Sequence, residues 1–130
     1  MKTSQDPRHI KRIKAMQDLF AWEFSPKKEM PNNSDPLATT VISKVESIDT
    51  EIQKSAPSWP INQINKIDLA ILRLATYELL FEERKDDSRT PYKVIVDEAV
   101  ELAKEYGSEN SSGFVNGVLG AMIENHNLQD

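Results

Sequence analysis

The sequence predicts an all-α domain of about six helices in two packed halves, residues 6–56 and 61–126. Three observations lead there. Apolar residues recur at intervals of three and four along most of the 130 residues. No stretch alternates apolar and polar residues ahead of a turn dipeptide, and four glycines leave few positions for hairpin turns. The stretch after Ile61 is apolar around most of a helix circumference, the pattern of a helix buried at the centre of a fold.

Residues 1–7 hold no apolar side chain after Met1 and are expected to be loose. The first helix starts near Asp6 or Pro7. Ile10, Ile13, Met16 or Gln17, Phe20 and Phe24 form its inner stripe, with Arg8, Lys11, Arg12 and Lys14 on the flanks. Ser25 to Pro36 contains three prolines and no stripe, and reads as a loop. Asp35 and Pro36 suit the N-cap and first position of a second long helix, in which Val41, Val45, Ile48 and Ile52 face inward as far as about Ala56. Pro57 and Pro60 break it. The central helix spans residues 64–82: Ile64, Ile67, Ile71, Leu74 and Ala75 line one face, and Leu72, Leu79 and Leu80 widen it. Glu82 to Arg89 is a charged turn. Thr90 then caps a helix with Pro91 at its first position and Ile95, Ala99, Leu102, Ala103 and Tyr106 on one face. Gly107 suits the left-handed residue that ends such a helix. Ser108, Ser111 and Ser112 offer caps to the last helix, whose inner stripe is Val115, Val118, Leu119 and Met122.

The net charge of −5 hides an asymmetry. Lys2, Arg8, Lys11, Arg12 and Lys14 stand against Asp6 in residues 1–14, a balance of +4; the remaining 11 basic and 20 acidic groups give −9. A basic end on an acidic body holds an anionic polymer locally instead of coating it. The bland alternative is a solubilising helix terminus, and charge alone does not choose between them. Phe114, at the start of the last helix, is either a stacking aromatic or core. Asp68 sits in the apolar central helix with Lys66 and Arg73 as nearby bases. Arg73 and Glu78, in the same helix, imply buried pairing, because an unpaired buried charge is costly.

Function classes are excluded by what is missing. There is no cysteine, no apolar run near the ~20 residues of a membrane span, and no apolar core of a signal peptide, so a cytoplasmic protein without membrane contact is expected. His9 and His126 lie near opposite ends in no metal-ligand spacing, and no phosphate loop or nucleophile motif occurs. Neither catalysis, cofactor nor metal is expected.

Residue identities add a further reading. PYKVIVDEAVELAKEYGSENSSGFVNGVL, residues 91–119, resembles the C-terminal signature of the NusB family of bacterial transcription antitermination factors. IDLAILRLATYELL, residues 67–80, resembles the family's central segment, and Arg8, Arg12, Ala15, Gln17, Leu19, Phe20 and Trp22 resemble its first helix. The resemblance covers residues 8–24 and 59–123 and is weak between. It implies one NusB-like domain over residues 1–130. The resemblance further implies that this domain binds box A-type single-stranded leader RNA with the ribosomal protein NusE and acts on RNA polymerase, mainly on ribosomal RNA operons. Carried over residue by residue, it implies RNA contacts from Lys2, Arg8, His9, Lys11, Arg12, Ser111 and Phe114, and partner contacts from Phe20 and Asp68. Four positions depart from the pattern: His9 and Ile10 stand where arginines are common, Leu69 replaces an arginine, and Gly113 replaces a lysine. The alternatives are a non-catalytic helical adaptor and a stand-alone relative of the helical domain that precedes ribosomal RNA methyltransferases. On the RNA reading, about four phosphate contacts give a log–log salt slope near −3, and replacing Lys11 and Arg12 by alanine weakens RNA binding with little effect on thermal unfolding.

Overall fold

Asp6 opens the first helix, its carboxylate accepting the Arg8 amide at 2.9 Å with Pro7 just inside. A computed structural model of the chain describes residues 6–83 and 89–130. Lys2 and residues 84–88 of the charged turn lie outside the described residues. Six helices follow one another: α1 (Pro7–Phe24), α2 (Pro36–Ser43), α3 (Val45–Ser55), α4 (Lys66–Thr76), α5 (Tyr92–Tyr106) and α6 (Ser111–Asn125). No strand occurs among the described residues, and no described helix is long and apolar enough to cross a membrane.

The expected stripe on α1 is met at Met16 and, half-buried, at Ile13 and Phe20, but not at its two ends. Ile10 and Phe24 are 48% and 59% exposed, while His9, Arg12, Ala15, Met16 and Leu19 face inward. Both sets have helical spacing. The second wins because Glu78 on the turn after α4 pairs with the buried Arg12, and Glu98 on α5 finds a hydrogen-bond partner in the buried His9. The expected helix over residues 36–56 is two. Asp35 caps α2 through the Leu37 amide at 2.8 Å, and the chain kinks at Lys44 (φ −120°, ψ 16°). The kink lets α2 pack against α1 while α3 packs against α4 and α6, which a straight helix does not reach together.

The central helix starts later than expected. Asn65 caps it by accepting the Ile67 amide, and residues Asp68 to Thr76 are all buried. A π-helical turn, Tyr77–Phe81, extends it and closes with the Glu82 amide on the Tyr77 carbonyl at 2.8 Å. α4 touches every other helix, so the two halves share one continuous core. Met16 and Leu19 from α1, Ile48 and Ile52 from α3, Ile71 and Leu72 from α4, Leu102 from α5 and Leu119 from α6 all belong to it.

α5 begins at Tyr92, with Pro91 and not Thr90 in the cap position. Tyr106, expected on the inner face, is 39% exposed. Gly107 is extended (φ −93°, ψ −168°), not left-handed. Its requirement is space: a Cβ there would lie 2.4 Å from Ser111 Oγ and 2.8 Å from the Ala103 carbonyl oxygen. Gly107 thus seats the start of α6 against the end of α5. The α6 stripe of Val115, Val118, Leu119 and Met122 is buried as its spacing requires.

Candidate nucleic-acid interface

Successive turns of α1 carry cations, and their partners sort them. The Arg8 side chain is 80% exposed, with Nε 3.7 Å from Asp6 Oδ1. Lys11 is half exposed and places Nζ 3.0 Å from Asp35 Oδ1, reaching across to the α2 cap. Against the cost of burial, the Leu37 amide and the Lys11 ammonium hold the Asp35 carboxyl below its ordinary range. Lys14 pairs at 2.8 Å with Asp18, whose other oxygen accepts the Asp35 amide.

Arg12 differs. Its guanidinium is buried and donates to both oxygens of Glu78, Nε at 3.0 Å and Nη2 at 2.7 Å, with Nη1 3.8 Å from Glu98. Burial alone would lower its pKa; the Glu78 carboxylate outweighs that and raises it. His9 is buried beside it, with Nδ1 3.1 Å from Glu98 Oε2 and Nε2 3.4 Å from Glu105 Oε1. The placement of His9 and Arg12 on an outward, RNA-facing flank is therefore corrected: both point into the fold, into an acidic pocket made by α4 and α5. Arg12 is also structural, so the Lys11 and Arg12 double change is now expected to lower thermal stability as well.

The start of α6 forms the second part. Ser111 is buried; its hydroxyl accepts the Ser108 amide at 2.9 Å, lies 3.2 Å from the Ser108 hydroxyl and bonds to Asp68. It closes the turn between α5 and α6, a correction to its reading as an RNA contact. Phe114 is half-buried, and its ring meets Trp59 edge to face, centroids 5.7 Å apart at 75°. Trp59 itself is half exposed. Trp59 belongs to no helical stripe, and its position between Pro57 and Pro60 is the one signal the sequence offers for it. The two regions share one end of α5, since His9 reaches Glu105 and Gly107, two residues on, abuts Ser111.

The residues expected to meet a protein partner part company. Phe20 is half-buried against Phe24, ring centroids 4.9 Å apart. Asp68 is not a surface acid: it is 5% exposed, and its Oδ1 has no hydrogen-bond partner. Neither nearby base reaches it. Lys66 turns to the Asn62 carbonyl, and Arg73 holds Asp49 at 2.9 Å and Glu23 at 2.6 Å. Burial pushes the Asp68 carboxyl up, partly opposed by the Ser111 hydrogen bond. The buried pairing inferred for Arg73 and Glu78 holds: Arg73 pairs with Asp49 of α3 and Glu23 of α1, Glu78 with Arg12 of α1. No group of three or more potential metal ligands occurs among the described residues.

Five helices packed around a buried α4 define an all-α domain. The NusB family model matches residues 15–124, and the chain belongs to that family. It is 53% identical over 76 residues to the transcription antitermination protein NusB of Chloroflexus aggregans, covering 58% of this chain and 49% of that one. It is 51% identical over 79 residues to the same-named protein of Roseiflexus sp., covering 61% and 54%. The chain spans about half the length of these curated relatives in the matched regions. Among solved structures, T. maritima NusB superposes with a TM-score of 0.74 at 32% identity, over 95% of this chain and 93% of that one. A chain in a crystal structure described as a plectonemic RNA supercoil gives 0.75 at 26% identity, over 95% and 98%.

Proposed function

We propose that the protein is a transcription antitermination factor. It binds box A-type single-stranded leader RNA together with NusE, joins RNA polymerase in the cytoplasm and acts mainly on ribosomal RNA operons, without catalysis of its own. The observation that carries this reading is the family match over residues 15–124, which spans all but the first turns of the helical body. Exposed Arg8 and Lys11 supply phosphate attraction, and the acidic remainder of the chain favours a basic ribosomal partner. A gel shift with box A RNA, with and without NusE, tests it. RNA binding that NusE strengthens is expected; no RNA binding in either condition overturns it.

One observation favours the adaptor reading. His9, Arg12 and Ser111 spend their polar groups inside the fold, leaving fewer RNA contacts than the family pattern implies. Capture of NusE without any RNA binding in the same experiment identifies that outcome.

A further inference from the structure

Trp59 is 51% exposed, on the connection between α3 and α4, and no role has yet fallen to it. The backbone that carries the indole is tied down in spite of the exposure of the ring. Gln53, at the end of α3, donates from Nε2 to the carbonyls of Ala56 (3.1 Å) and Trp59 (2.9 Å), and its Oε1 accepts the Ile61 amide at 3.2 Å. The Trp59 amide donates to the Ala56 carbonyl at 3.0 Å, and Pro57 and Pro60 restrict the chain on either side. The ordering entropy of this loop is spent before any ligand arrives, which favours binding.

The surroundings suit one flat ring. The edge-to-face pairing with Phe114 covers at most one face of the indole. Beside the pair lies an open cleft of about 390 Å³, bounded by Pro57, Ser58, Trp59, Gly113, Phe114 and Gly117. A Cβ on Gly113 or Gly117 would meet nothing within 4 Å, so the helix backbone is open to close approach there. The same turn begins α6, where Asn110 supplies no side-chain cap. The Ser111 amide is taken by the Ser108 carbonyl at 3.1 Å, and the next amides of that turn, Ser112 and Gly113, keep their capacity for an anion. A planar apolar platform beside an uncapped helix N-terminus matches a base and its phosphate. A partner helix fits poorly, because it needs an apolar groove several turns long, and this cleft spans only the loop after α3 and the first two turns of α6.

We propose that Trp59 is a base-stacking residue: with Phe114 it takes one unstacked nucleobase of single-stranded RNA, the adjoining phosphate lying against the first turn of α6. This rests on the RNA-binding reading above and adds to it a residue and a subsite. Stacking tolerates any base, so the subsite contributes affinity more than sequence choice.

The test is a titration of wild type, Trp59→Ala and Trp59→Phe with box A RNA, read by gel shift and tryptophan fluorescence. Stacking on Trp59 quenches its emission in the wild type. Trp59→Phe loses that change, because only Trp22 remains, yet keeps most of the affinity. Trp59→Ala binds roughly tenfold or more weakly, the loss expected for one stacked base, with thermal unfolding close to wild type. Wild-type binding with no quench, or equal affinity in Trp59→Ala, overturns the stacking role and leaves the RNA-binding reading intact. Absence of wild-type binding, with or without NusE, overturns both. Loss of NusE binding in Trp59→Ala, with RNA affinity unchanged, assigns the cleft to protein and overturns the proposal.

Discussion

The guanidinium of Arg12 lies 2.7 Å and 3.0 Å from the two carboxylate oxygens of Glu78, and both groups are buried. Removing one partner of such a pair leaves a charge without compensation, at a cost of about 3–5 kcal/mol. Arg12→Ala is therefore expected to lower the unfolding midpoint by roughly 10 °C or more, read by calorimetry. Arg8→Ala, on an exposed side chain, is expected to stay within about 0.5 kcal/mol of wild type while weakening RNA binding. Asp68 is the opposite case, a buried acid without a cation. Its carboxyl is raised by burial. The unfolded chain therefore ionises first as pH rises, and the stability that protonated Asp68 gives at low pH is lost as pH climbs from the ordinary carboxylate range through the raised folded value. Asp68→Asn removes that loss. It is expected to be more stable than wild type at pH 7, with the advantage fading as pH falls below the ordinary carboxylate pKa. Denaturant melts of both proteins across that range check the sign; a constant difference at every pH refutes the account.

The turn from α5 to α6 depends on closeness. A Cβ at Gly107 would press on the backbone carbonyl of Ala103 and on Ser111. Gly107→Ala is expected to cost about 1–3 kcal/mol, as crowding of a packed site does. Gly120, well inside α6 with nothing within 4 Å of an added Cβ, makes the control. Gly120→Ala is expected to gain about 0.5–1 kcal/mol from helix propensity alone. Equilibrium unfolding of both variants reads the contrast. Elements of this kind were legible in the sequence where one helix decides its own face. The α6 stripe from Val115 to Met122 and the buried circumference of α4 follow from local spacing. The inner face of α1 does not, because it is chosen by Glu78 and Glu98, 66 and 89 residues away from Arg12 and His9. The kink at Lys44 is equally non-local, since it serves two different packing neighbours. Site residues were readable by type and misread by direction: the cations of α1 and the serine before Phe114 are present, but tertiary carboxylates and the Gly107 turn determine which of them face solvent.

At the scale of the molecule, what counts for an anionic strand is the charge left over after internal pairing. The first 14 residues carry +4, yet Arg12 spends its charge on Glu78 in the interior and Lys14 pairs at 2.8 Å with the buried Asp18. Lys2, Arg8 and Lys11 then remain as the cations of the proposed interface, the last in a pair with Asp35 that is half open to solvent. Single-stranded RNA releases counterions with a slope of about −0.7 per neutralised phosphate. Three contacts therefore give a log–log slope of affinity against salt near −2, shallower than the −3 that four would give. Gly113 offers a way to change that number from outside the fold. An added side chain meets no neighbour there, and the position lies in the first turn of α6 beside Phe114. Gly113→Lys is expected to strengthen RNA binding and to steepen the slope by about 0.7, with no loss of thermal stability. Binding isotherms for wild type and variant at four salt concentrations measure both quantities. A wild-type slope near −3 shows that Arg12 leaves Glu78 when RNA binds; an unchanged slope in Gly113→Lys shows that no phosphate passes the start of α6.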